Sequence, residues 1–251
     1  MPPVVQSTES SGDEVAQLIP KQGSNMALRL GAVCTLVLAL TTASLLISVG
    51  VSSTTAGAFQ NHIVLMPLAF VLLAPLGAIS WRSLGALALP RAAIKATHAT
   101  LMSSAALTAV VGVSYMFHAH EANQAKEIAS YGQAHFESAH SWMGIVAVTL
   151  FVGNALAALV VFYGPTDKGM RAAFLPVHVF LGTVSITLTL FSVPMGIMSY
   201  AYRGTLEDTT THPIPGAPSG QYKVAALLVV SLTFSMLLVF FPTGIGRAKS
   251  L

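Results

Sequence analysis

Residues 136–153 read FESAHSWMGIVAVTLFVG, a histidine and a tryptophan at the head of a long apolar run. About 20 such residues cross the roughly 30 Å of a bilayer's hydrocarbon. An ionisable side chain inside a span of that kind is costly, which marks it as a functional position. The weight of His140 therefore depends on what the rest of the chain places around it.

The chain has 251 residues, 54% apolar and 8% charged, with a mean hydropathy of +0.71. That composition excludes an ordinary water-soluble globule. Six apolar runs of membrane length stand at residues 26–51, 62–81, 95–117, 139–164, 174–202 and 222–242, and no alternating barrel pattern occurs. The expectation is an all-α membrane protein of six transmembrane helices. Its divisions are a cytosolic tail over 1–25, a six-helix domain over 26–243 and a cytosolic C-terminal tail over 244–251. The polar residues before the first run, Glu9, Asp13 and Glu14 among them, and the length of that run make it a retained helix rather than a cleaved leader.

Basic residues set the orientation, because short cytosolic loops keep Lys and Arg. Lys21, Arg29, Arg82, Arg91, Lys95, Lys168, Arg171, Arg247 and Lys249 fall on one side, and only Lys126, Arg203 and Lys223 on the other. Both termini are therefore expected in the cytosol. The net charge of +3 is a topology signal, and without a basic, aromatic-interleaved stripe no nucleic-acid partner is expected. Cys34 is the single cysteine, so a disulfide framework, a CxxC metal pair and a CxxCH haem-attachment motif are all excluded. No GxGxxG or GxxxxGK[ST] nucleotide loop is present either.

With this topology four histidines sort by depth. His62, in FQNHIVLM, and His140, in SAHSWMG, stand near the outer ends of helices two and four. His98, in KATHATLM, and His178, in PVHVFLG, stand near the inner ends of helices three and five. Two neutral imidazoles on facing helices can fill both axial positions of a haem iron, a closed arrangement that favours electron transfer. Each ligand's second ring nitrogen would then donate to a carbonyl or polar group that fixes its tautomer. Gly144 and Gly182 lie four residues beyond His140 and His178, on the same helix stripe, and would clear room for a flat macrocycle. Met66 and Met102 hold the same offset from His62 and His98, as macrocycle packing or as core filler.

Competing readings are available. Lone interfacial histidines often serve only hydrogen bonding, but four would need four separate polar partners in an apolar bundle. Structural zinc wants four ligands at one depth, commonly thiolates. A proton-coupled transporter with relaying histidines is the rival from another class, and its expected midplane acids and paired broken helices are missing from the runs.

At these residues the chain resembles the cytochrome b561 family. FQNHIVLM is similar to its FNxHxxxM, KATH to KxLH, SAHSWMG to SLHSWxG and PVHVFLG to PxHVxxG, and Trp81 with Arg82 resembles its aromatic-Arg helix end. The resemblance covers runs two to five. It implies a central four-helix bundle enclosing two b-type haems, His62 and His140 on the outer one, His98 and His178 on the inner one. It also implies electron transfer from cytosolic ascorbate to a non-cytosolic acceptor, monodehydroascorbate or ferric iron, and a homodimer. Lys95 would be the main ascorbate residue, with Arg91 and Arg171 beside it. An FxxH-like pattern points to Phe117 and His120 for the outer substrate site, His118 being the alternative. Glu137 stands where the family has tyrosine, and the loop between His120 and His140 is long, so the outer surface departs from the pattern.

His135 and His212, with Glu121, Glu127, Glu207 and Asp208, read as solvated loop residues, the alternative being that they hold ferric iron or another metal near the outer haem. Asn154, Thr183, Ser185 and Thr187 read as interhelical hydrogen-bonding groups, and Pro194 as a kink. The stretch EVAQLIP, 14–20, has the form of an acidic dileucine sorting signal, which tilts the location toward an endosomal, lysosomal or vacuolar membrane over the plasma membrane.

Overall fold

The computed structural model describes residues 26–53, 57–85, 87, 89–125, 135–136, 138–206 and 219–240. Both tails lie outside them, as do the dileucine-like stretch, Glu127, Glu137, Glu207, Asp208 and His212. The described residues form helices and no strand. Helix α1 is Met26–Ser53. Helix α2 runs through Ala58–Pro67, a wide π turn Leu68–Leu73 and Ala74–Gly85. Helices α3 to α6 are Arg91–Ala125, Ala139–Tyr163, Lys168–Leu206 and Ser219–Phe240.

Among the described residues five helices, α1 to α5, are long and apolar enough to cross a membrane. In α6 the described apolar segment is Val224–Phe234. The expected spans for α3 and α5 were shorter than the helices observed. At about 1.5 Å per residue, a helix of 39 residues outruns the hydrocarbon by nearly a factor of two. The hydropathy signal ends with the apolar residues, but helical hydrogen bonding continues through the polar ones beyond them. Ser138 caps α4 by accepting from the Ser141 amide, and Asp167 does the same for Met170 at the start of α5.

The π turn in α2 has a local cause. Pro75 cannot donate to the carbonyl four residues back, and the Ala74 amide reaches Ala69 instead. Phe70, on this turn, is buried and meets Phe151 of α4 edge to face at 5.3 Å. Around this contact α2 packs along α3, and α4 along α5, while α1 and α6 pack on each other against the outside. Small residues let the helices close up: Ala69, Ala74, Ala105 and Ala109 are completely buried. Helix α5 continues through both Pro176 and Pro194.

Candidate functional site

The four motif histidines organise the bundle as two antiparallel hairpins. Within α2/α3, His62 Nδ1 donates to the Gly112 carbonyl at 2.9 Å and His98 Nδ1 to the Gly77 carbonyl at 2.8 Å. Within α4/α5, His140 Nδ1 donates to the Ser192 carbonyl at 2.8 Å, with the Ser192 hydroxyl at 3.0 Å. His178 Nδ1 meets Asn154 Oδ1 at 3.1 Å, and Asn154 Nδ2 donates back to the His178 carbonyl at 3.1 Å. A carbonyl oxygen only accepts, so in each ring the proton sits on Nδ1 and Nε2 keeps its lone pair.

Each histidine is thus tied down inside its own hairpin and faces the other one. His62 and His140 come together with ring centroids 6.5 Å apart and planes at 82°. His98 and His178 do so at 6.2 Å and 86°. With metal–nitrogen bonds of about 2.0 Å and a ring nitrogen roughly 1.2 Å from its centroid, two imidazoles trans on one metal have centroids roughly 6.4 Å apart. Both separations match, and the set of neutral nitrogen donors suits haem iron. His62 thus lies beside His140, and His98 beside His178.

The small and soft residues beside the histidines have a job that differs in part from the one expected. A Cβ on Gly144 would stand 3.4 Å from Ser192 Oγ, and one on Gly182 3.3 Å from Asn154 Nδ2. These glycines make room for the groups that hold His140 and His178, although Gly144 also lines a cavity. Met66 and Met102 pack across α2/α3 on Gly112 and Gly77, whose added Cβ atoms would meet their sulfurs at 2.9 and 3.2 Å. The acceptor glycine and the methionine one turn beyond the histidine therefore interlock twice, once at each end of the hairpin.

The cavity beside His62 and His140 is mostly apolar, and its empty space, open mouth included, is about 1580 Å³. Phe59, Met66, Phe70, Phe117, His120 and Gly196 contribute to its wall. Of the two candidates near the end of α3, His120 is 8% exposed and lines the cavity. His118 has a side chain 71% exposed and lies 3.5 Å from Glu121. His135 is half-buried rather than fully solvated: it stacks on Phe117 of α3 at 4.8 Å and lines the cavity with His120.

At the other end Trp81 lies edge-on to His98 at 6.0 Å, and Phe162 and Phe174 flank His178 at 5.4 and 6.1 Å. Lys95 reaches the end of α4, where its ammonium donates to the Phe162 carbonyl at 2.8 Å and sits 4.1 Å over the Tyr163 ring. A cation at a helix C-terminus is electrostatically favoured. Arg171 is held by the turn after α4, donating to Thr166 Oγ1 and the Gly164 carbonyl, both at 3.1 Å. Arg91 is exposed at the first residue of α3. Lys95 therefore touches Phe162, the residue whose ring lies 5.4 Å from that of His178.

Several residues of this site escaped the sequence reading. A Cβ on Gly196 would stand 2.7 Å from His140 Cε1, and Ser192 is the partner of His140. Their signal was weak, a serine and a glycine at i and i+4 around Pro194. Phe136 has φ 63°, a left-handed backbone that is unusual for a bulky residue, and its ring lies 5.2 Å from that of Trp142.

A family model described as eukaryotic cytochrome b561 matches residues 61–203, the stretch that holds all four histidines. The chain is 26% identical over 186 residues to the plasma membrane ascorbate-dependent reductase CYBRD1 of Mus musculus, covering 74% of this chain and 60% of the relative. It is 32% identical over 140 residues to the lysosomal membrane ascorbate-dependent ferrireductase CYB561A3 of the same species, covering 55% and 54%. With the Bos taurus form of the latter it shares 30% over 192 residues, covering 76% and 69%. The chain thus spans between about half and two thirds of the length of these relatives. With its motifs and its family match falling on the same four helices, the chain belongs to the eukaryotic cytochrome b561 family.

Proposed function

We propose that this protein carries single electrons across a membrane, from cytosolic ascorbate through two non-covalent haems b to monodehydroascorbate or ferric iron on the other side. The observation that supports it most is the double crossing of the hairpins, with imidazole centroids 6.5 Å apart at one end and 6.2 Å at the other. Haem b, when bound, supplies a one-electron couple at each depth. His62 with His140 would hold the outer haem and His98 with His178 the inner one. Gly112, Gly77, Ser192 and Asn154 keep Nε2 of each ring as the ligating atom.

The asymmetry of Lys and Arg puts the His98 and His178 end in the cytosol. It also puts both termini there, with α6 as a sixth span and helices α2 to α5 around the cofactors. Ascorbate is an anion at neutral pH, and the ammonium of Lys95, with Arg91 and Arg171 nearby, would draw it to the inner mouth. His120 serves the outer mouth. The relatives' names, ascorbate-dependent reductase and ferrireductase, agree with this donor and with ferric iron as acceptor. The lysosomal relatives and the tail motif favour an endosomal or lysosomal membrane.

The test is direct. Purified protein should hold two haems b per chain, both reduced by ascorbate. Vesicles loaded with ascorbate should reduce external ferric chelate or monodehydroascorbate. A spectrum without b-type bands after haem loading would sink the reading, and bands with no transmembrane reduction would sink the electron path.

A further inference from the structure

We infer that Ser80 tunes His98: its hydroxyl shares the carbonyl that anchors the His98 ring, and the sharing raises the reduction potential of the haem held by His98 and His178. This rests on the two-haem reading and specifies how the protein adjusts one ligand. The Gly77 carbonyl accepts from His98 Nδ1 at 2.8 Å and from the Ser80 hydroxyl at 2.7 Å. Helical geometry over Ala74–Gly85 aims the Trp81 amide at the same oxygen. A carbonyl oxygen has two lone pairs, so three donors divide its charge and each bond is weaker than it would be alone.

The other end of the same hairpin supplies a comparison. Gly112 of α3 holds His62 at 2.9 Å as Gly77 of α2 holds His98, and each glycine packs on the methionine one turn beyond its histidine. Three residues after Gly77 stands Ser80, and three after Gly112 stands Tyr115, whose hydroxyl is too far out on its ring to turn back to that carbonyl. The neighbouring Ser114 hydroxyl goes to the Val111 carbonyl at 2.8 Å. Ser80 is 6% exposed, so bulk water does not draw its hydroxyl away from Gly77. A histidine whose Nδ1 proton is held more weakly carries less negative charge on its ring, and its Nε2 is a poorer donor. Poorer donation favours ferrous over ferric iron, and hydrogen bonding around the axial ligand is one of the levers that set a haem potential. Ser80 acts through His98, as a positioning residue.

The test is a redox titration of the haem-loaded full chain, with the His62 and His140 haem of the same molecule as reference. Ser80→Ala should lower the potential of the His98 and His178 haem alone. Its reduced-to-oxidised ratio at a fixed applied potential should fall about threefold, roughly 28 mV at about 59 mV per tenfold. Ser80→Cys keeps the shape with a weaker donor and should fall between wild type and Ser80→Ala. Ser114→Ala should move neither haem. In the reduced, diamagnetic protein the His98 Nδ1 proton resonance should move downfield in Ser80→Ala, as its bond to Gly77 strengthens. An unmoved or raised potential would overturn the tuning and leave electron transfer standing, and an unmoved resonance would overturn the shared carbonyl as its cause. Protein that takes up no haem would overturn the two-haem reading by itself, and there the downfield shift in Ser80→Ala would still uphold the competition for Gly77.

Discussion

At one end of the bundle His62 and His140 line a mostly apolar cavity that two further histidines, His120 and His135, also line. At the other end His98 and His178 are walled by Trp81, Phe162 and Phe174. The spacing of the paired histidine rings is nearly the same at the two ends, and what differs is how each histidine is anchored. His62, His98 and His140 lean on backbone carbonyls, which no side-chain substitution deletes. His178 leans on one side chain, Asn154, which also grips its backbone. The His98 and His178 pair thus depends on a removable group in a way the His62 and His140 pair does not.

The largest expected effect separates the ends outright. His140→Ala should cost one haem per chain and spare the other, and His178→Ala should cost the remaining one. Haem content and redox titration read this, and loss of the same haem by both variants would break the pairing. Next comes Gly196→Ala, whose Cβ would stand 2.7 Å from the His140 ring. It should reduce outer haem retention more than tenfold, while Gly182→Ala, whose Cβ would stand at the looser distance of 3.3 Å from the Asn154 amide, should cost less and only at the inner site.

Asn154→Ala tests the anchoring contrast itself. Loss of a histidine's hydrogen-bond partner costs on the order of 10–100-fold in metal affinity, here confined to the inner haem and read as haem dissociation. The smallest effect is expected from Ser192→Ala. The Ser192 carbonyl still accepts from His140 at 2.8 Å, so losing the hydroxyl should cost about 1 kcal/mol and change outer haem retention by a few fold. Should Ser192→Ala cost as much as Asn154→Ala, the distinction between backbone and side-chain anchoring fails.

Much of this was legible in the chain. Apolar length announced the helices, and the alternation of Lys and Arg gave depth to His62, His98, His140 and His178 before any contact was known. Helix ends were less legible, because α3 and α5 run on into water where hydropathy no longer marks them. His135 was misjudged as solvated, since nothing local reveals that the end of α3 offers Phe117 for it to cover. Gly196 and Ser192 were missed because their meaning lies in a ring 52 residues earlier than Ser192.

By itself the sequence determined a helical membrane protein of this family, the four histidines and their two depths, because the membrane imposes one axis and hydropathy and charge are read along it. Only the tertiary structure decided which glycine, serine or asparagine holds each ring, that the pairs cross between hairpins, and that His135 joins His120. Those facts depend on rotation about helix axes and on close approach between helices, and neither leaves a periodic trace in one chain.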